Sequence, residues 1–232
     1  MCDPDHVGRR IALAFVAQIW RAVLNFVFPP YCLLCRESLT ESPGICSSCR
    51  NSFVSWRREG HVPRFGDNLR QVFILYEFND SVRSLIHALK YRNKTLPGQI
   101  LGEMLGNRIS AASFVPSIIV PVPLHSARRR ERGYNQSEVI ARAVGHVLGC
   151  QVHKSVLARV RATPSQTQLG AGERQSNVCG AFRVCKPEAI QGKKVLLVDD
   201  VITTGASQTI PAIVYKPTLV ATVIYDSRSV WK

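Results

Sequence analysis

The residues in this chain best placed to do chemistry are two adjacent carboxylates at the end of an apolar run. Val195, Leu196, Leu197 and Val198 read as a short buried strand, which leads into Asp199 and Asp200. The small polar loop Thr203, Thr204, Gly205, Ala206 and Ser207 follows. In an open α/β sheet, ligands bind beyond the carboxyl ends of the strands. Gly205 allows close backbone approach, and the loop hydroxyls and amides can cradle a phosphate at a following helix N-terminus. An acidic pair beside such a cradle suits the hydroxyls of a ribose, which donate hydrogen bonds to carboxylates. The arrangement asks for a sugar phosphate. The bland alternative is a buried strand ending in a solvated Asp-Asp turn, with Thr-Thr-Gly as an ordinary helix cap.

Four cysteines make a second constellation. Cys32 and Cys35 form one Cys-x-x-Cys knuckle, and Cys46 and Cys49 form another ten residues further on. Four thiolates so spaced suit the tetrahedral, closed coordination of structural zinc, which would hold a miniature fold together and would not catalyse. Iron with the same ligands stays open at this point. A third cluster, Arg128, Arg129, Arg130 and Arg132, reads as a cationic loop just beyond the strand Ile118 to Pro123. Arginine forks match phosphate oxygens. A solvated surface loop and a nucleic-acid patch are the competing readings.

The elements that must position these groups follow from the rest of the chain. At 232 residues and 46% hydrophobic content, it can hold one α/β domain plus a small module. A formal net charge of +14 and a sequence pI near 9.9 favour polyanionic partners: nucleic acid, an anionic membrane surface or a multiply phosphorylated substrate. Of the eight cysteines, Cys2, Cys150, Cys179 and Cys185 are scattered without the spacing of a disulfide framework, which points to a reducing cytoplasm. The expected organisation is an amphipathic helix within residues 1–30, a four-cysteine module and linker over 31–66, and an α/β domain over 67–232.

Residues 11 to 28 are nearly all apolar, with Gln18, Arg21 and Asn25 on one stripe before Pro29 and Pro30. A charge near the middle makes a poor membrane span. A helix packed on the body is favoured over one lying at a membrane surface. Residues 57 to 70 read as a linker and Val72 to Phe78 as a strand. A helix capped by Asp80 or Ser81 ends near Lys90, which is either an anion contact or the favourable cation of a helix C-terminus. A second helix runs from Pro97 to about Ala112. Asn135 and Glu138 suggest a capping box, opening a helix that runs to Gly149. Val152 to Ala158 and Val178 to Val184 read as strands. Between them, residues 159 to 174 carry Pro164, Gly170 and Gly172, as a mobile lid would; a plain surface loop is the alternative. A helix from Gly205 to about Val214 and a last strand from Leu219 to Tyr225 complete the pattern.

The Val195–Ser207 stretch as a whole resembles the phosphoribosyl pyrophosphate (PRPP) loop of type I phosphoribosyltransferases. With it come the two Cys-x-x-Cys pairs, the Leu89-Lys90-Tyr91 end of the first helix, Val120-Pro-Val-Pro-Leu124, Arg132-Gly-Tyr-Asn-Gln-Ser137, Arg159-x-Arg-x-Thr-x-x-Gln166, Glu173-Arg-x-x-Asn-Val178 and Gly180-Ala-Phe182. From Pro29 onward the chain resembles the ComF-type competence proteins. The resemblance implies a type I phosphoribosyltransferase fold, a mostly parallel sheet flanked by helices, with a small N-terminal zinc-binding module. It implies that Asp199 and Asp200 contact the ribose hydroxyls while Thr203, Thr204, Gly205, Ala206 and Ser207 wrap the 5′-phosphate. Leu124, His125 and Arg132 would approach pyrophosphate, and Arg159, Arg161, Gln166 and Arg174 would lie on the closing loop. Mg²⁺ bound with PRPP, structural Zn²⁺ on the cysteines and a cytoplasmic role linked to DNA uptake are further implications. Single-stranded DNA and proteins of the competence machinery then join PRPP as expected partners. No residue stands out as a base for an acceptor. Pro211, inside the expected final helix, and the turn Lys216-Pro217-Thr218 depart from the family pattern. A mid-helix proline costs about 3 kcal/mol, so the departure bears more on turnover than on ligand binding.

Overall fold

The structure, a computed structural model, describes residues 15–16, 19–20, 22–40, 42, 44–56, 69–91, 94–161, 181–202 and 218–225. The chain divides into two compact units, 1–50 and 51–232.

The larger unit is built on four parallel strands in the order β1-β6-β5-β2. These are β1 (Leu69–Glu77), β2 (Ile118–Pro121), β5 (Val195–Ile202) and β6 (Thr218–Tyr225). Two further strands, β3 (Leu157–Arg159) and β4 (Phe182–Val184), pair antiparallel as a separate ribbon. β5 lies between β2 and β6, which explains its opening run of four apolar residues: a central parallel strand is covered on both faces. Val195 and Leu197 join a cluster with Ile74, Ile118, Val120, Leu157, Phe182 and Ile190. Leu196 and Val198, which alternate with them, are also fully buried.

Among the described residues, the three longest helices accompany the sheet. Asp80–Tyr91 starts at Asn79, whose Oδ1 accepts from the Val82 N–H at 2.9 Å. The cap is therefore Asn79, one residue before the expected Asp80 or Ser81. Leu96–Ala111 carries Pro97 in its first turn, as expected. Gln136–Leu148 opens on Asn135 and closes on Gly149 in the left-handed region, at φ 60°. The last two helices approach closely because Gly98, Gly102 and Gly106 recur every four residues on one face. A Cβ added at Gly102 would lie 2.6 Å from the Ala143 Cβ and the Ile140 carbonyl oxygen.

Several expectations need correction. β5 does not stop at Val198 but continues through Ile202, so both acids lie inside the strand, not beyond it. β6 supplies the reason, pairing with β5 as far as Ile202 opposite Tyr225. The Arg-rich segment is the helix Ser126–Arg132, not a loop. His125 caps its start by accepting the Ala127 N–H, and Gly133, at φ 76°, ends it. Val152 makes only an isolated bridge to Ile119, and the strand proper is β3. β1 begins at Leu69, inside the stretch read as linker.

In the smaller unit, residues 22–27 are helical. Among its described residues, Phe15, Trp20, Phe26 and Phe28 are exposed, Phe26 at 89%. Among the described residues, no helix is long and apolar enough to cross a membrane. Residues 162–180 and 203–217 lie outside the described residues, and with them most of the expected lid, the expected phosphate cradle and the expected final helix with Pro211.

Candidate functional site

The four cysteines converge. The Sγ atoms of Cys32, Cys35, Cys46 and Cys49 all lie within 4.8 Å of one another, and Cys35 and Cys46 are 3.6 Å apart. The knuckles do this through backbone N–H groups turned toward sulfur. Leu34 and Cys46 donate to the Cys32 Sγ at 3.5 and 3.4 Å, and Cys49 donates to the Cys46 Sγ at 3.4 Å. Burial works to raise the Cys32 thiol, but the backbone N–H groups of Cys46, Cys35 and Leu34 outweigh it and bring it down to about 6. Cys49 is pushed up to about 12 by burial and by its neighbouring thiols. Four thiols this close cannot all ionise alone. A divalent cation at their centre would let them, which is the donor set and spacing of a structural zinc site.

The acidic pair is held by groups from several elements. Adjacent strand residues project to opposite faces, so Asp199 and Asp200 draw on different helices. The Ser137 Oγ donates to the Asp199 Oδ1 at 2.9 Å, and the Asp200 N–H donates to the same oxygen at 2.8 Å. The Lys90 Nζ lies 2.7 Å from the Asp200 Oδ2. Burial raises the Asp199 carboxyl, and the Asp200 charge raises it further. The Asp200 N–H, Ser137 and Lys90 oppose them, leaving it at about 7. Arg159 sits with its guanidinium 5.3 Å from the Phe182 ring centroid. Burial and the nearby Arg128 hold Arg159 below its ordinary value, and the Asp199 charge acts in the opposite direction. Lys90 thus meets Asp200 directly, and Arg159 lies near enough to Asp199 to feel its charge.

The segment Tyr134-Asn135-Gln136-Ser137 ties this pocket together. Tyr134 donates its hydroxyl to the Leu89 carbonyl, beside Lys90. The Asn135 Nδ2 donates to the Val122 carbonyl at 2.9 Å, and its Oδ1 accepts from the Ser137 N–H at 3.2 Å. Asn135 thereby joins the end of β2 to the helix that presents Ser137. Arg132 bonds the Gln136 Oε1 at 3.1 Å. Glu138 does not complete a capping box. Its carboxylate meets Arg142 at 2.8 Å, Lys154 at 3.7 Å and Arg129 at 3.9 Å.

Of the site residues read from sequence, the structure brings Asp199 and Asp200 together with Arg159, and it places His125 and Arg132 on the short cationic helix. Leu124 is half-buried just before that helix, and Arg161 is exposed. Gln166, Arg174, Thr203, Thr204, Gly205, Ala206 and Ser207 lie outside the described residues. Ser137 was missed as a site residue. Its only signal was its place in the Arg132–Ser137 motif.

Comparison with known proteins adds the family. A protein named DNA utilization protein YhgH, from Salmonella typhimurium, is 33% identical over 200 residues, covering 77% of this chain and 87% of its own. This chain belongs to the ComF family of competence proteins. Competence protein F of Haemophilus influenzae is 28% identical over 206 residues, with 80% of this chain and 90% of that protein covered. Competence protein ComFC of Bacillus subtilis is 29% identical, covering 81% and 79%. Residues 23–71 match the model of a double zinc ribbon domain. That segment holds four cysteines, enough for one tetrahedral site, and the ComF chain brings all four to one point. A crystal structure of the protein TT1426 from Thermus thermophilus aligns with 57% of this chain and 76% of its own, at 16% identity and a TM-score of 0.34.

Proposed function

We propose that the pocket at the carboxyl end of β5 binds PRPP with Mg²⁺ and that the chain transfers or hydrolyses the phosphoribosyl group, in the setting of DNA uptake. The parallel order β1-β6-β5-β2 is compatible with the type I phosphoribosyltransferase fold, which we take as part of the proposal. The observation that carries it is the acidic pair in the second half of a central parallel strand, with Lys90 and Ser137 in contact and Arg159 near Asp199. Carboxylates there accept the ribose hydroxyls, while the surrounding cations face the phosphates.

Transfer breaks the bond between the ribose C1 and pyrophosphate, which leaves with the electron pair. A nucleophile then bonds C1; with water, the freed proton goes to solvent. The transition state is oxocarbenium-like, so the protein acts by positioning and by stabilising the departing negative charge. Asp199 and Asp200 would orient the ribose, and Arg128, Arg132 and Arg159 would offset pyrophosphate charge. Among the described residues, the cysteines are the one group of three or more metal-ligating side chains within reach of one ion. Mg²⁺ therefore fits as an ion carried by the ligand's own oxygens, where it neutralises phosphate charge. Calorimetric titration of PRPP with Mg²⁺ into the zinc-loaded chain tests the reading. Saturable binding should disappear in Asp199→Asn/Asp200→Asn; no binding by the folded wild type overturns it.

A second reading, a non-catalytic DNA-binding accessory protein with a vestigial or regulatory PRPP pocket, is favoured by Arg129, Arg142 and Lys154. All three side chains are more than half exposed, on one surface around Glu138. Phosphate contacts by such residues are salt-dependent and indifferent to sequence. The names of the relatives, which speak of DNA utilization and competence, agree with this setting. Charge reversal at Arg129 and Arg130 that abolishes single-stranded DNA binding while sparing PRPP binding would separate the two surfaces. Loss of both together would merge them.

A further inference from the structure

Two carboxylates on consecutive residues, partly withdrawn from water, repel one another strongly enough that one of them keeps its proton near neutral pH unless a cation intervenes. A carboxylate accepts hydroxyl donors at both oxygens, whereas a protonated acid gives up part of that capacity to its own O–H, so a ribose diol is held best with both acids ionised. In this chain the cation in direct contact is Lys90, at the C-terminal end of the helix Asp80–Tyr91. Its side chain is about three-quarters withdrawn from solvent, and the side chain of Asp200 is 14% exposed. A free helix-terminal lysine would extend into water to interact with the helix dipole. Lys90 instead folds back onto the acid.

The helix end is also fastened. The Tyr134 hydroxyl donates to the carbonyl of Leu89, the residue before Lys90. Tyr134 directly follows Gly133, the left-handed cap of the Arg-rich helix, and directly precedes Asn135, the cap of the Ser137 helix. One tyrosine thus links the segment that presents Ser137 to Asp199 with the segment that presents Lys90 to Asp200. The two acids receive their partners from a coupled unit.

We propose that Lys90 is the positioning residue of the acidic pair: it favours the jointly ionised form of Asp199 and Asp200, the form that best accepts a ribose diol, with Tyr134 setting its place. This deepens the reading of the pocket as a ribose-phosphate site and rests on it for the identity of the ligand. The other groups near the pair are Ser137 from the helix Gln136–Leu148 and Arg159 from β3, and Arg128 from the helix Ser126–Arg132 lies near Arg159. β2 and β6 place no charged residue beside it; the position opposite Asp199 on β6 is Thr222. Arg128 and Arg159 are not replaced by the test, so a shift on losing Lys90 reports Lys90.

The test reads the acids directly. In the zinc-loaded full chain with ¹³C-labelled aspartate, the side-chain carboxyl signals of Asp199 and Asp200 are titrated by NMR in wild type, Lys90→Met and Lys90→Arg. Asp199→Asn and Asp200→Asn assign the signals. Lys90→Met should move the midpoint of the pair upward by about one pH unit or more, and Lys90→Arg should return most of that shift. In parallel, PRPP affinity at pH 7 should fall at least tenfold in Lys90→Met, with the loss shrinking at higher pH. Tyr134→Phe, which keeps every charge, should move the midpoint in the same direction by less; it also serves if Lys90→Met fails to fold. An unchanged midpoint in Lys90→Met overturns the proposal, even if PRPP affinity falls. Failure of the pocket reading looks different: wild type does not bind PRPP, or the doubly amidated variant still does, whatever the carboxyl titration shows.

Discussion

Replacing Asp199 by asparagine should make the protein more stable and less able to bind its ligand. The native carboxyl is held at about 7 by burial and by the charge of Asp200, against an ordinary value of 3.8. The native state therefore binds a proton more tightly than the unfolded chain does. By linkage, stability falls as pH rises from about 4, through the unfolded value, to about 7, and stays low above that. The gap between the two values corresponds to an upper bound of about 4 kcal/mol at pH 8. The bound is generous, because Asp199 retains some surface as a residue and water relaxes the penalty. At pH 5 the same relation leaves about 2 kcal/mol. In Asp199→Asn the amide removes the charge, while its oxygen can still accept from Ser137 and from the Asp200 N–H. For a chain of this size, 1 kcal/mol moves Tm by about 2–4 °C. The assay is thermal unfolding of wild type and Asp199→Asn at matched zinc from pH 5 to 8, beside PRPP titration. Asp199→Asn should melt several degrees higher at pH 8, and the advantage should shrink toward pH 5. A variant that melts lower at pH 8, or an advantage independent of pH, would refute the reasoning.

Three further outcomes follow from other parts of the structure. Chelation, or Cys46→Ser, should unfold the cysteine module and release zinc in proportion to protein, and acid should do the same because the ligands must be thiolates; a module whose circular dichroism ignores chelator would contradict the site. Gly102→Ala forces a methyl to within 2.6 Å of the Ile140 carbonyl oxygen, between two helices whose backbones cannot yield locally. A loss of about 1–3 kcal/mol in denaturant unfolding is expected, and a neutral result would mean the helices slide apart freely. Charge reversal at Arg142 and Lys154, both more than half exposed, should weaken single-stranded DNA binding and flatten its salt dependence without altering PRPP affinity. An unchanged salt slope would remove this surface from consideration.

Local patterns were legible where the physics is local. Val195 to Val198 announce a strand covered on both faces because no polar residue interrupts them. Pro97 and Asn135 mark helix starts because first-turn chemistry is written within a few residues. The cysteines announce a metal site because a tetrahedral ligand set needs two tight knuckles, and nothing distant is required. The Arg-rich segment was misread as a loop because four neighbouring cations look solvated in sequence. The His125 and Gly133 caps, which make it a helix, are quieter signals. Asn79 was passed over in favour of Asp80 because both are good caps and only backbone geometry chooses between them.

What the sequence alone determined about this protein is its chemical inventory: four thiols spaced for one ion, an acidic pair following an apolar run, and a strongly basic balance. The tertiary structure decided how that inventory is wired. Lys90 is 110 residues before Asp200 in the chain, and Ser137 is separated from Asp199 by 62. No periodicity or spacing reports contacts across such distances. They exist because β5 lies in the middle of a parallel sheet, where crossover helices from remote parts of the chain return to the same edge. The glycine stripe at 98, 102 and 106 was equally silent until the facing helix supplied Val139, Ala143 and Val147 to fill it. Spacing records which groups a chain owns, and long-range packing decides which of them meet.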